Sequence, residues 1–222
     1  MVYPNFSEEK KFWKKGLKLV VGIDEVGRGP LAGPVVAGAV LFKIKITNQR
    51  PPNFKSVNDS KKLTPLKREE VYNYFKKNSN MEWGIGIVSE KVIDKINILE
   101  ATKLAMVKAV ENLEKKLGKS VVQLVLIVDG NMKLDGPDFA KSFSKVKQKS
   151  IIKADQKVFS CALASIFAKV TRDKIMRKFH KKYPKYGFNK HKGYGTAHHF
   201  KMLQKHGPCK IHRESFYPIS QI

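Results

Sequence analysis

Apolar residues recur along the chain in short blocks, and the spacing within each block predicts its element. Leu19, Val21 and Ile23 alternate with other residues across Leu17–Asp24, the period of a strand. Val35–Phe42 reads Val-Val-Ala-Gly-Ala-Val-Leu-Phe, unbroken as in a strand buried on both faces. Met81–Val88, Val121–Asp129 and Val146–Ile152 complete five predicted strands, and Val121–Asp129 carries the strongest buried-strand signal. Elsewhere the period is helical. Thr64 and Pro65 supply an N-cap and a first-turn proline for a helix running to about Lys77. Ile96, Leu99, Leu104, Val107, Val110, Leu113 and Leu117 predict one long helix from about Val92, stopped at Gly118. Two more helices are predicted, from Ser160 to about Tyr183 and from about Thr196 to Lys205. Gln49 to Lys62 is polar, with two prolines, and reads as a surface loop.

Strands first, followed by alternating helix and strand, indicate an α/β domain with a central mixed sheet flanked by helices. No repeat or linker divides residues 1–222, so one domain is expected, with residues from about 160 to 222 forming a helical, basic C-terminal extension.

Charge adds a partner class. Lys and Arg number 44 against 19 Asp and Glu, a net charge of +25. Between Lys141 and Arg213 there are 20 basic residues, and only Asp155 and Asp173 are acidic. Such a surface favours a polyanion, with nucleic acid ahead of an anionic membrane. The two cysteines, Cys161 and Cys209, give neither a disulfide framework nor a zinc spacing. The first residues lack a signal-peptide core, and no run approaches ~18 apolar residues, so a cytoplasmic protein is expected.

Against this basic background four acids stand out. Asp24 and Glu25 close the first predicted strand, Asp129 closes the fourth, and Asp155 lies between the last strand and the next helix. Singly they have ordinary readings: Asp129 forms a turn with Gly130, and Asp155 caps a helix. Together at strand ends they suit a hard divalent cation, and a four-carboxylate site suits two-metal phosphoryl transfer. Gly27 and Gly29 permit positive φ and close approach of a ligand, and Arg28 between them offers a planar fork for phosphate. His191, His198, His199, His206 and His212 lack a cysteine pair and read as part of the basic surface. No Walker A or dinucleotide fingerprint occurs.

Several ordered motifs carry a family resemblance. They are Asp24–Val36, Asn58-Asp59-Ser60-Lys61-Lys62-Leu63, Ile96–Thr102, Val128–Asn131, Lys153-Ala154-Asp155, Ala164–Asp173 and His191–Thr196. In these the chain, from about Val20 to Pro218, resembles ribonuclease HII of the bacterial type. The resemblance implies a ribonuclease H-like fold and hydrolysis of RNA in RNA/DNA hybrids. It also implies cutting 5′ to ribonucleotides embedded in duplex DNA, leaving 3′-hydroxyl and 5′-phosphate ends. It maps the catalytic, metal-binding carboxylates onto Asp24, Glu25, Asp129 and Asp155, with two Mn²⁺ or Mg²⁺ ions during catalysis. Gly27, Arg28 and Gly29 map onto the sensor of the ribose 2′-hydroxyl, and Tyr194 onto the tyrosine that packs on the following deoxyribose. Ser60, Lys61 and Lys62 are expected to meet backbone phosphates, with Lys169 and Arg172 as weaker candidates whose alternative reading, for one or both, is a structural ion pair. Val26, where the family usually has alanine, and Leu163 are departures in packing. An aspartate as fourth acid, and no extra N-terminal domain before the first strand, weigh against the sister ribonuclease HIII group. A monomer is expected, and no clear sliding-clamp peptide follows Pro218. The reading weighed against the nuclease is a basic nucleic-acid-binding module without catalysis.

Overall fold

Strands β1 (Leu19–Val26), β2 (Val35–Phe42), β3 (Met81–Val88), β4 (Leu124–Asp129) and β5 (Lys147–Ile151) form one sheet in the order β3-β2-β1-β4-β5. The computed structural model describes residues 3–43, 57, 60, 63–118, 124–136, 139, 143 and 146–222. β1 is antiparallel to β2 and parallel to β4; β2 and β3 are antiparallel, and β4 and β5 parallel. This is the expected mixed sheet flanked by helices.

Alternation along β1 divides the core. Val21 and Ile23 pack with Leu126, Val128, Ala105 and Leu113 on one face, beneath helix α3 (Glu90–Leu117). On the other face Val40 and Phe42 pack with Phe159, Ala164 and Phe167 of α4 (Phe159–Lys182) and Phe75 of α2 (Pro65–Lys76). Contact on that face is close because glycines line it. A Cβ at Gly22 would lie 2.4 Å from the Cys161 N and Ser160 Oγ, and one at Gly38 2.4 Å from the Ala164 O. The short helix α1 (Ser7–Trp13), not predicted from the pattern, is anchored by Glu9. The buried Glu9 carboxylate accepts from both N–H and hydroxyl of Ser160 (3.0 and 2.8 Å), at the first turn of α4.

Two expectations change. The long helix is interrupted at Asn97 (φ 65°), whose side-chain oxygen accepts from the N–H groups of Leu99 (2.9 Å) and Glu100 (3.1 Å) and so caps the second segment. The apolar period continues through such a cap, which hides it in the pattern. The basic helix is also no simple appendage: its first half is core. From Met176 onward it joins a separate cluster with Tyr186, Phe188 of α5 (Phe188–His191), Leu203 of α6 (Ala197–His206) and Leu31.

Candidate active site

Because β1, β4 and β5 run parallel, their C-terminal ends reach one edge of the sheet. Asp24 lies near the end of β1, Asp129 ends β4, and Asp155 sits in the 3₁₀ turn Ala154–Gln156 after β5. One carboxylate oxygen from each of these three lies within 4.8 Å of the others. The Ala154 N–H donates to Asp129 Oδ1, which ties the turn carrying Asp155 to the end of β4. The Glu25 N–H donates to Asp24 Oδ1 at 2.7 Å. Glu25 follows Asp24 on β1 and is not one of the three whose oxygens converge; its Oε1 lies 3.4 Å from Arg28 Nη1.

Burial pushes the Asp24 carboxyl well above the usual carboxylate range, and the negative charges of Glu25, Asp129 and Asp155 push it further; a hydrogen bond from the Ser165 side chain opposes them. Burial also raises Glu25; Arg28 opposes that rise and Asp129 adds to it. Clustered carboxylates held in unfavourable ionisation are what a hard cation with oxygen ligands relieves, so the donor set fits a divalent metal.

The turn after β1 is held from behind. Gly27 (φ 97°) has no room for a side chain, since a Cβ would lie 2.2 Å from Arg172 Nε. Arg172 is fully buried and donates to the carbonyls of Pro34 (2.9 Å), Lys192 (2.9 Å) and Ala32 (3.1 Å). The expected phosphate contact by Arg172 is therefore corrected: its guanidinium faces main-chain oxygens inside the protein. Arg213, also fully buried, donates to the carbonyls of Gly33, Arg28 and Gly27. Lys169 pairs with Asp173 at 2.8 Å, four residues along α4. Ser60 is buried with its hydroxyl 2.8 Å from that of Ser165, so its side chain faces the Asp24 side of the core rather than a phosphate. Arg68 holds the Ser60 carbonyl at 2.6 Å. Lys61 and Lys62 lie outside the described residues.

Tyr194 is 41% exposed, with the Arg172 guanidinium 5.9 Å from its ring centre. Its backbone is fixed by histidines: the reading of these residues as surface holds for the exposed His198 and His206 and is corrected for His199 and His212. His199 and His212 are buried, and their Nε2 atoms lie 3.0 Å apart. His199 Nδ1 is 2.9 Å from the Tyr194 carbonyl and must donate to it, so a neutral His199 accepts at Nε2. His212 then donates from Nε2 and accepts the Cys209 N–H at Nδ1 (2.8 Å). Desolvation lowers both rings to about 4, which keeps them neutral in this chain. His191, stacked on His199, accepts from the Gly193 N–H at 3.2 Å.

Ser165, Arg213 and the histidine pair were not singled out as site residues in the sequence. The available signal for the last two was basic and imidazole side chains at Ile211-His212-Arg213, beside apolar residues rather than in a lysine run.

The family model "Ribonuclease HII" matches residues 21–218. A ribonuclease HII of Chlamydia caviae is 48% identical over 214 residues, covering 96% of this chain and 91% of that protein. The ribonuclease H2 of Pyrococcus horikoshii superposes with a TM-score of 0.70 at 26% identity, covering 91% of this chain and 96% of that one. Bst-RNase HIII, solved in complex with Mn²⁺, has a TM-score of 0.69 at 15% identity over 92% of this chain and 69% of its own, a likeness of fold. The chain belongs to the ribonuclease HII family, and with it to the ribonuclease H hydrolases.

Proposed function

We propose that this chain is an endonuclease that hydrolyses the RNA strand of RNA/DNA hybrids and also cuts 5′ to single ribonucleotides in duplex DNA. The observation that carries the reading is the convergence of Asp24, Asp129 and Asp155 within 4.8 Å at the sheet edge, beside the turn Gly27-Arg28-Gly29. Asp24, Glu25, Asp129 and Asp155 would hold two Mg²⁺ or Mn²⁺ ions. When bound, these ions supply a more acidic attacking water and neutralise charge on the leaving 3′-oxygen. The protein's own part is positional. Asp129 and Asp155 are locked to each other through the Ala154 N–H, and Asp24 is anchored by the Glu25 N–H and Ser165. Gly27, Arg28 and Gly29 would meet the 2′-hydroxyl, the group that distinguishes RNA from DNA locally. The half-exposed Tyr194 would pack on the deoxyribose that follows. Lys-rich surface would hold both backbones without reading sequence.

The test is cleavage of duplex DNA carrying one ribonucleotide, with Mg²⁺, Mn²⁺ or chelator, beside Asp129→Asn. A single metal-dependent 5′ cut, absent in the variant, is the expected result. Cleavage of long hybrids alone would remove the junction role from Gly27–Gly29 and Tyr194. Folded protein that cuts neither substrate would leave a binding module.

A further inference from the structure

We infer that Arg213 is a positioning residue for ribonucleotide selectivity: by holding the Gly27 and Arg28 carbonyls inward, it turns the Arg28 and Gly29 N–H groups outward as the donors of the turn. This rests on the reading of Gly27–Gly29 as the junction sensor.

The geometry follows from the peptide bond. In a planar trans peptide the C=O of one residue and the N–H of the next point in opposite directions. Arg213 Nη2 takes the Gly27 carbonyl and Nη1 the Arg28 carbonyl at 2.8 Å, so the N–H groups of Arg28 and Gly29 face away from the buried guanidinium. Both residues are exposed. Among the described residues neither N–H has a protein acceptor. Pro30 follows and has no N–H, so the turn offers these two donors and then stops.

Arg213 suits this task better than any other side chain would. Its Nε and Nη2 also reach the Gly33 carbonyl at 3.0 and 2.8 Å, so one rigid fork binds both ends of the loop. Arg213 is itself fixed in the backbone: its N–H donates to the Leu31 carbonyl at 2.9 Å, and Gly33 donates to Ile211 at 2.8 Å. The inward side of the turn is thus saturated by the C-terminal segment. The outward side is bare, since a Cβ on Gly29 would meet no protein atom within 4 Å. Nothing in the fold itself requires glycine there, and the space beside it is open to a ligand. Glu25, whose carboxylate pairs with Arg28, places this bare side next to the acidic cluster.

Two measurements test the assignment. Amide hydrogen exchange on the unmodified protein should show fast exchange at Arg28 and Gly29 and protection at Gly33 and Arg213. Protected Arg28 and Gly29 amides would overturn the inference whatever any variant does. Then kcat and KM are measured for Arg213→Lys and Arg213→Ala on duplex DNA with one ribonucleotide and on a long hybrid, beside Gly29→Ala. Arg213→Lys keeps charge but loses the fork. It should lose about tenfold in kcat/KM at the lone ribonucleotide and less than about threefold on the hybrid, the scale of one charged hydrogen bond. Guanidinium ion should restore part of the loss in Arg213→Ala. Equal losses on both substrates for the Arg213 variants, with Gly29→Ala still selective, would refute the positioning role alone. Equal losses for Gly29→Ala as well would remove the junction role of the turn, and this inference with it.

Discussion

His199 and His212 face each other through their Nε2 atoms at 3.0 Å, and with both rings neutral only one arrangement of their protons satisfies every neighbour. Protonating His199 at Nε2 sets two N–H donors against each other beneath Tyr194, and protonating His212 at Nδ1 displaces the Cys209 N–H that it accepts. Both folded values are lowered from 6.5 to about 4 by desolvation, so the unfolded chain takes up the proton first as pH falls. Their stabilisation is therefore full above about pH 6.5 and is lost between about 6.5 and 4. The loss is roughly 3 kcal/mol for the first of the pair. Thermal unfolding across that range should show it, and His199→Gln should flatten the slope; an unchanged slope would show that the pair is not the titrating element.

Glu9 has the opposite sign. Burial raises its carboxyl from 4.5 to about 7, opposed by the bonds from Ser160. The stability it contributes is complete below about 4.5 and is lost as pH rises toward 7. Glu9→Gln keeps an acceptor for Ser160 and carries no charge. It should raise stability at pH 8 by roughly 1–3 kcal/mol and leave pH 4 nearly unchanged, read by denaturant melts at both pH values.

Asp129→Asn should separate charge from shape. An amide oxygen at position 129 can still accept the Ala154 N–H, while one like charge beside Asp24 and Glu25 disappears. In chelator the variant should melt at or above the parent. Mn²⁺ or Mg²⁺ should raise the melting temperature of the parent but not of the variant, and cleavage should vanish. A variant that melts lower in chelator would mean that the carboxylate serves the fold.

Gly27 and Gly29 should behave differently as alanines. Gly27→Ala meets Arg172 Nε and a positive φ of 97°, and should cost more than about 1 kcal/mol. Gly29→Ala has open space and should melt within about 0.5 kcal/mol of the parent. It should still cut lone ribonucleotides poorly. Melting and cleavage of the two variants side by side decide it.

Much of this was legible from alternation and from four acids on a basic chain. Leu19, Val21 and Ile23 fix which face of β1 packs beneath α3, and parallel neighbours then bring Asp24, Asp129 and Asp155 to one edge. What escaped was set by tertiary context. Asn97 interrupts its helix without interrupting the apolar period. Arg172, Arg213, His199 and His212 are residue types that usually lie at the surface, and only the fold shows that main-chain carbonyls and a second imidazole replace water around them.

Arg213 grips the turn only by main-chain oxygens. Its hold is therefore indifferent to the side chain at position 28, which is 47% exposed and pairs with Glu25. Position 28 is thereby open to variation at small cost in folding. A saturation library there would explore which sugar or phosphate the enzyme prefers while the scaffold stays constant.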